Sequence, residues 1–582
     1  MADLPGEMRF PPPSRAETPV TSKWDGLPLY DRPLGSQTDG TDDGRPVVVI
    51  SDFSECSPVE RLSEVPRLGC WTLIDYATEQ FAGKLLHAPR SQPAADVTLP
   101  LDAAGWHAIY VWLMGGDVDL EAGFPADFDS VYSMSQGPAL KLTGDAHFSG
   151  LFRTLSHDRM MWKGLEACFW RYADMTGQEL HIRHQGGTVY LGAIQLVPLS
   201  PTEVDAIQRD RADRSHKRLI LKGDMYGQQD IEARIEQFKD RDVAAWICGC
   251  EDSADLFAPG GSSRIRAFQH AAHEIGSEAY VCDRPGLWSS HTHWSDPRAR
   301  DYEQHPKWHA KDRDGTDTHQ CSYAVPDVQD YMLRRARAAA ELGPDGFGYF
   351  FNRDPGLVLF EPAAMRGFKE QHGVDPLTLS DRDPRLLAWR ADIITGYLRR
   401  LRQMLDDVAR ARSFKRIKIV AVVLGDEPAN RFFSFDVPQW VREGLVDVLL
   451  PYPWTDYPDR WLAQGFVDVD VKYFASLVRG TGCKLYPMWL AGIWRQHWTP
   501  EHVRMNEYFT RAMRDYADGA DGISAWDEVG LAFAFTADRW LRLGHRDRLA
   551  EWAAGDFPLP PKLRFTRLAG ATPDRYPVGT GG

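Results

Sequence analysis

Residues 416–428 read RIKIVAVVLGDEP. The run KIVAVVL is apolar without alternation, rich in β-branched residues and short. Such a segment belongs in a sheet covered on both faces, as parallel sheets are. Working outward, similar strands recur at VDVLLPYPW, CKLYPMWLAG and GISAWDE on the carboxyl side. On the amino side they recur at GFGYFFNRD, EAYVCDRPG, AAWICGCED and RLILKGDMYG. Helix-period stripes lie between them, among them Ile265, Phe268, Ala272 and Ile275, then Val328, Tyr331, Met332 and Ala336, then Ile394, Tyr397, Leu398, Leu401, Leu405 and Val408. Eight strand–helix units in roughly 330 residues predict an α/β fold, a (β/α)8 TIM barrel over 217–550.

The remainder of the 582 residues divides by texture. Residues 1–44 are rich in Pro, Gly, Asp and Thr and predict an irregular arm. Over 45–200, short β-type runs alternate with turn signals: RPVVVISDF, DVTLPL, WHAIYVWLM, PALKLTG, ELHIRH and VYLGAIQLVPL. That rhythm predicts a β-sandwich. Residues 201–216 are polar and charged, a linker or short helix, and 551–582 form a Pro- and Gly-rich tail.

Composition excludes several classes of function. A net charge of −15 opposes nucleic-acid binding, which needs clustered Lys and Arg. No apolar run approaches the roughly 20 residues of a membrane helix. The first residues lack the basic and apolar regions of a secretory signal, so a cytoplasmic location is the default, and a secreted or periplasmic one follows if a signal was removed. Eight cysteines are too sparse for a disulfide framework. Cys248 and Cys250 share a strand face and read as small buried hydrophobes, because no further soft ligands stand at metal-binding spacing.

Active sites of such barrels lie at the carboxyl ends of the strands, so the residues there carry the chemistry. In strand order they are Asp224; Glu251 and Asp252; Asp283 and Arg284, followed by Trp288, His291 and His293; Asn352, Arg353 and Asp354, with Glu361 beyond; Asp426 and Glu427; Tyr452, Trp454 and Asp456; Trp489 and Trp494; and Trp526, Asp527 and Glu528. Carboxylates and arginines interleaved with tryptophans suit glycosidic-bond cleavage. One carboxylic acid protonates the leaving oxygen, and a second carboxylate attacks the anomeric carbon or activates water. Aromatic faces hold sugar rings, and the chain has 20 Trp. Trp71, Trp106 and Trp112 of the β-rich part fit either its core or a ligand platform. The competing chemistry is a metal held by His291, His293 and Asp283, supporting hydrolysis or sugar isomerisation. A His-x-His pair in a polar loop more often contacts substrate or solvent, so no metal is assigned.

The segment DGFGYFFNRDPGLVLFEPAAMRGFKEQHGVDP (345–376) resembles the middle of the glycosyl-hydrolase-like family 10 proteins, a bacterial barrel group. SFDVPQWVREGLVDVLLPYP is similar to that group's sixth-strand segment, and GISAWDE to its closing strand. The part ending YLGAIQLVPLSP resembles the galactose-binding-like, jelly-roll sandwich that precedes such barrels. The resemblance implies a carbohydrate-active enzyme and transfers roles to Arg353, Glu361, Trp440, Asp447 and Asp527. Many members carry an Asp in the fourth strand where this chain has Phe350, so the nucleophile is not transferred.

The reading that follows is a glycoside hydrolase acting on a poly- or oligosaccharide. Glu427 is expected as general acid, because a carboxyl at a dry strand end gains the raised pKa an acid needs. Asp354 is expected as nucleophile or base, held ionised by Arg353, with Asp527 in reserve. Arg284, Trp288, His291, Asn352, Arg353, Glu361, Trp454, Trp489 and Trp526 are expected to bind substrate. No cofactor is implied, carbohydrate is the partner, and homo-oligomerisation is open. The alternatives are a carbohydrate-binding protein with a degenerate barrel, or a metal-dependent sugar isomerase or hydrolase.

Overall fold

The computed structural model describes residues 15–18, 47–78, 80–89, 92–114, 137–151, 164–185, 189–223, 231–249, 261–286, 298–353, 355–453, 469–490, 505–526, 540–554 and 562–568. Its larger half is a curled, nine-stranded, all-parallel sheet. The strands are β1 (Leu219–Gly223), β2 (Val243–Gly249), β3 (Glu278–Asp283), β4 (Gly346–Phe350), β5 (Lys418–Leu424), β6 (Val448–Tyr452), β7 (Lys484–Leu485), β8 (Met488–Leu490) and β9 (Ile523–Trp526). The ladder runs β7-β6-β5-β4-β3-β2-β1-β9-β8. Its two end strands are therefore neighbours in the chain, separated only by Tyr486 and Pro487. Tyr486 still donates its N–H to Leu449 O at 2.9 Å, while Pro487 O accepts from Ser524 N at 3.0 Å.

Side-chain alternation sorts the strand residues onto two faces. Inside the curl, Ile220, Ala245, Ile247, Tyr280, Cys282, Phe350, Val420, Val422, Val448, Leu450, Tyr452, Met488 and Trp526 form one buried cluster. The opposite parity, including Val281, Phe347, Tyr349, Ile419, Ala421 and Val423, faces the helices. Each fully buried aliphatic or aromatic side chain contributes about 1.5–3 kcal/mol, so this double-sided burial is why the strands read as unbroken apolar runs. Gly348 is needed where β4 and β5 approach, because a Cβ there would lie 1.9 Å from Val420 O.

Helices cover the outer face. The linker begins as α1 (Pro201–Ala212), closed at its start by a reciprocal Ser200–Glu203 capping box. After β3 and a short hairpin (His309–Lys311 with Asp317–Cys321) comes α2 (Pro326–Ala340). α3 (Pro362–His372) and the long α4 (Pro384–Arg412) follow β4. α4 starts at Pro384 with Asp383 accepting from Arg385 N at 2.9 Å. α5 (Glu427–Phe432) follows β5, α6 (Val471–Val478) follows β6, and α7 (Met505–Ala517) precedes β9.

The amino-terminal part is mostly strand. A large, mainly antiparallel array and a three-stranded sheet (Val97–Pro100, Glu179–Arg183, Ala139–Leu142) enclose a core containing Trp71, Leu99, Val111, Leu140, Leu180 and Leu196. Trp71 and Trp112 are fully buried, donating to Ala95 O at 2.8 Å and Gln195 Oε1 at 2.9 Å. They are core residues. Two expectations are corrected. Arg15–Thr18, inside the supposed irregular arm, pairs with Val47–Ile50. Lys562–Leu568, inside the supposed tail, is a strand seated between Trp71–Thr78 and Gly164–Asp174. It brings Leu563 and Phe565 into a second apolar cluster that also takes Ile207 from α1.

Candidate active site at the carboxyl ends of the parallel strands

Lys222, the penultimate residue of β1, has the same parity as the interior residue Ile220 and is only 2% exposed. Its ammonium stands 5.0 Å from the centre of the Trp526 ring. Arg353, just past β4, lays its guanidinium 4.7 Å from the same ring and 5.5 Å from Tyr452. Phe350 and Tyr452 meet Trp526 edge-on at 5.0 and 5.1 Å. One indole at the end of β9 thus carries two cations and two aromatic neighbours, a cation–π nest built from four strands.

Asn352 belongs to the same end of the sheet. The chain turns after Phe350, and Asn352 N–H donates to Val422 O at 3.2 Å, while Arg353 N–H closes the turn onto Phe350 O at 3.0 Å. The Asn352 side chain is 1% exposed, and neither its carboxamide oxygen nor its nitrogen has a partner among the described residues. A buried polar group left unsatisfied costs about 1–3 kcal/mol. Such a group calls for an explanation, and a ligand is one.

The carboxylates after β5 divide their roles. Asp426 caps α5, its Oδ1 accepting from Ala429 N at 2.8 Å. Glu427, the next residue, is half-buried. It stands near Tyr473 of α6, whose hydroxyl is pushed up to about 12 by burial and then by the Glu427 charge. Asn430 fixes this loop by bonding both the N–H (3.1 Å) and the C=O (2.8 Å) of Leu424. Lys222 and Asn430 were not foreseen. A lysine inside the apolar run RLILKG was the available signal for the first, and the second gave none.

Other expected residues lie elsewhere. Glu361 is 1% exposed, accepting hydrogen bonds from Ser322 Oγ and from Leu359 N at 3.1 Å, and burial pushes its carboxyl up. These bonds brace the loop before α3. Trp489 is core: it is 1% exposed, donates to Asp515 at 2.9 Å and packs on Trp540. Asp283, weighed as a metal ligand, has the outward parity of β3 and pairs with Arg335 at 3.0 Å, both side chains buried. Arg284 is half-buried beside it, its N–H donating to Asp283 Oδ1 at 2.9 Å. Trp440 is fully buried against α4, donating to Thr395 at 3.0 Å. Asp447 stands at the opposite, amino-terminal end of the sheet. Asp354, Asp527, Trp288, His291 and Trp454 lie outside the described residues, as do Asp224, Glu251, Asp252, His293, Asp456, Trp494 and Glu528.

No family model matches the sequence, and no curated protein matches it either. Among solved structures, the chain is similar to α-L-fucosidase isoenzyme 2 from Paenibacillus thiaminolyticus (14% identity, 58% of this chain and 50% of that one, TM-score 0.38). It is also similar to the β-galactosidase of Marinomonas ef1 (13% identity, 58% and 61%, TM-score 0.42). A third likeness, to an α-galactosidase from Thermus thermophilus, covers 88% of this chain and 94% of that one at 13% identity and TM-score 0.34. The first two matches span about half to three-fifths of those chains' length. Likenesses this distant assign neither family nor activity.

Proposed function

We propose that the chain is a glycoside hydrolase whose substrate, a poly- or oligosaccharide, binds beside Asn352 at the carboxyl end of a closed (β/α)8 barrel. In this reading β7 and β8 are two halves of one strand, interrupted at Pro487, and the β-rich part is a galactose-binding-like sandwich. The observation that carries the proposal is Asn352, a fully buried carboxamide with no partner among the described residues, beside the Arg353–Trp526 nest. A sugar hydroxyl both donates and accepts, so it can satisfy both ends of that amide. Glu427 is the proposed general acid, with Asp354 or Asp527 as nucleophile or base. The resemblance to the glycosyl-hydrolase-like family 10 group rests on the quoted motifs alone and points the same way.

The test is hydrolysis of a panel of aryl glycosides and oligosaccharides by the wild type and by Glu427→Gln. A general acid is worth roughly 10²–10⁴-fold in rate, so a loss of that size with the fold intact is expected. No hydrolysis of any panel member by the wild type would overturn the enzyme reading.

One observation favours a second reading, a carbohydrate-binding protein without catalysis. Of the expected carboxylates among the described residues, Asp283, Glu361 and Asp426 all have structural duties, which leaves Glu427 alone. Saturable oligosaccharide binding without turnover would establish that alternative.

A further inference from the structure

Among the described residues the chain passes twice between the β-rich part and the parallel sheet. It goes out through α1, whose Ile207 joins an apolar cluster of the β-rich part, and it returns from residues 540–554 to the strand Lys562–Leu568. The two crossings meet at one buried imidazole, His545, at the amino-terminal end of the sheet and away from the candidate active site. His545 Nε2 is 2.7 Å from Oδ1 of Asp210, on α1, and His545 Nδ1 is 2.7 Å from Oδ2 of Asp242, immediately before β2. Asp242 is 1% exposed and also accepts from Gly544 N at 2.9 Å. The second Asp210 oxygen lies 3.5 Å from the Arg542 guanidinium. Glycine is required at 544 to bring His545 this close, since a Cβ there would sit 1.9 Å from His216 O.

Proton counting fixes the charge of this network. A carboxylate only accepts hydrogen bonds, and a neutral imidazole has a single N–H to give. Two carboxylates on one ring therefore require either a proton on both ring nitrogens or a protonated carboxyl. Arg542 and the Gly544 N–H favour the ionised form of both acids, which leaves the second proton on the ring. Burial opposes that charge, yet the Asp242 charge and the hydrogen bonds to both acids outweigh burial and raise the imidazolium from its ordinary 6.5 to about 9. The other groups around the ring are His216, stacked on it at 4.1 Å and kept neutral by burial, then Asp213 and Lys217 of the same turn, and Tyr516 of α7 near Asp242. We propose that His545 is held as an imidazolium that pins both crossings to the base of the sheet, a clasp that loosens when the ring loses its second proton. Because the ring holds that proton more tightly in the folded chain, its contribution to stability is complete below pH 6.5 and is lost as pH rises through about 9.

The test is side-chain nitrogen NMR on the full chain carrying isotope-labelled histidine, together with thermal unfolding midpoints from pH 6 to 10. His545→Gln identifies the resonances of this ring. Asp210→Asn keeps an acceptor for Nε2–H while removing the charge on α1, and its shifted resonance identifies the ring even if His545→Gln does not fold. In the wild type the His545 ring is expected to be doubly protonated at pH 7.5 and to titrate near 9. In Asp210→Asn it is expected to hold that proton roughly tenfold less tightly. The wild type is expected to unfold at a higher temperature than either variant at pH 7, and its lead over His545→Gln should shrink towards pH 10, whereas a purely steric role would keep that lead constant. A His545 ring that is neutral at pH 7.5, a titration unchanged by Asp210→Asn, or a lead undiminished at pH 10 overturns the proposal.

Discussion

The two ends of the parallel sheet are built differently. At the amino-terminal end, Asp242, Asp345, Asp447 and Asp521 stand just before β2, β4, β6 and β9. Each accepts a backbone N–H from a neighbouring segment: Gly544 at 2.9 Å, Ala279 at 2.9 Å, Ile419 at 2.7 Å and Leu485 at 3.0 Å. All four also hold a cation or imidazole across the gap, Asp242 taking His545 at 2.7 Å. Asp447 takes Arg402 and Arg416, Asp345 takes His273, and Asp521 takes Lys484. The carboxyl end instead keeps an orphaned amide at Asn352 and stacks Lys222 and Arg353 on one indole. The amino-terminal carboxylates are spent on the fold, whereas at the carboxyl end the Asn352 amide has no partner among the described residues.

Buried structural pairs at the helix layer set the upper limit of what the fold can lose. Arg335→Ala strands Asp283, 1% exposed, without its guanidinium, and is expected to cost about 3–5 kcal/mol in denaturant unfolding. A cost under 1 kcal/mol would return Asp283 to the list of available site groups. Asp447→Asn, at the amino-terminal end, is expected to cost about 1–3 kcal/mol, because Oδ2 serves Ile419 N–H and Arg402 while Oδ1 serves Arg416. Carbohydrate turnover or binding per folded molecule should not change. If it does, Asp447 acts as the sequence resemblance implied and the division between the two ends fails.

Glu361 gives a smaller, pH-dependent signal. Burial raises its carboxyl above the ordinary value of 4.5. Between those two values the folded chain carries more protons than the unfolded one, so stability falls as pH rises through that window. Glu361→Gln removes this slope, whatever the offset between the two proteins. Unfolding free energies measured from pH 4 to 8 check it, and parallel curves would show that burial does not raise the Glu361 carboxyl.

Much of this architecture is legible in the chain, and the failures have physical causes. All the parallel strands lie where apolar runs predict them, because burial on both faces leaves a strong local signature. Trp71–Thr78 and Ala82–Ala88 escaped detection: Thr72, Asp75 and Thr78 in the first and Lys84 and His87 in the second break both the alternation and the apolar run. Lys562–Leu568 alternates well, as KLRFTRL, but its partners lie hundreds of residues earlier and its Pro- and Gly-rich flanks mask it. Two residues read at the strand ends differ through parity. Asp283 and Trp489 stand at strand ends as expected, yet one step along a strand turns a side chain from the interior to the helix layer. Lys222 and Trp526 have the inward parity, and Trp526 alone of those two was singled out in advance. Asp447 was drawn in by motif likeness, whereas its place before β6 makes it a staple.

The most direct measurement compares Asn352→Leu with the wild type in two assays on the same preparations, stability and carbohydrate turnover or binding. Leucine nearly matches the carboxamide in shape and removes a buried, unpartnered polar group, so the folded state is expected to be as stable as the wild type or more so. Turnover or binding should fall by the value of a lost hydrogen-bonding group, about 1–3 kcal/mol or roughly 5- to 150-fold. A variant that loses stability as Asp447→Asn does, while handling carbohydrate like the wild type, would contradict the account, because Asn352 would then serve the fold and not a ligand.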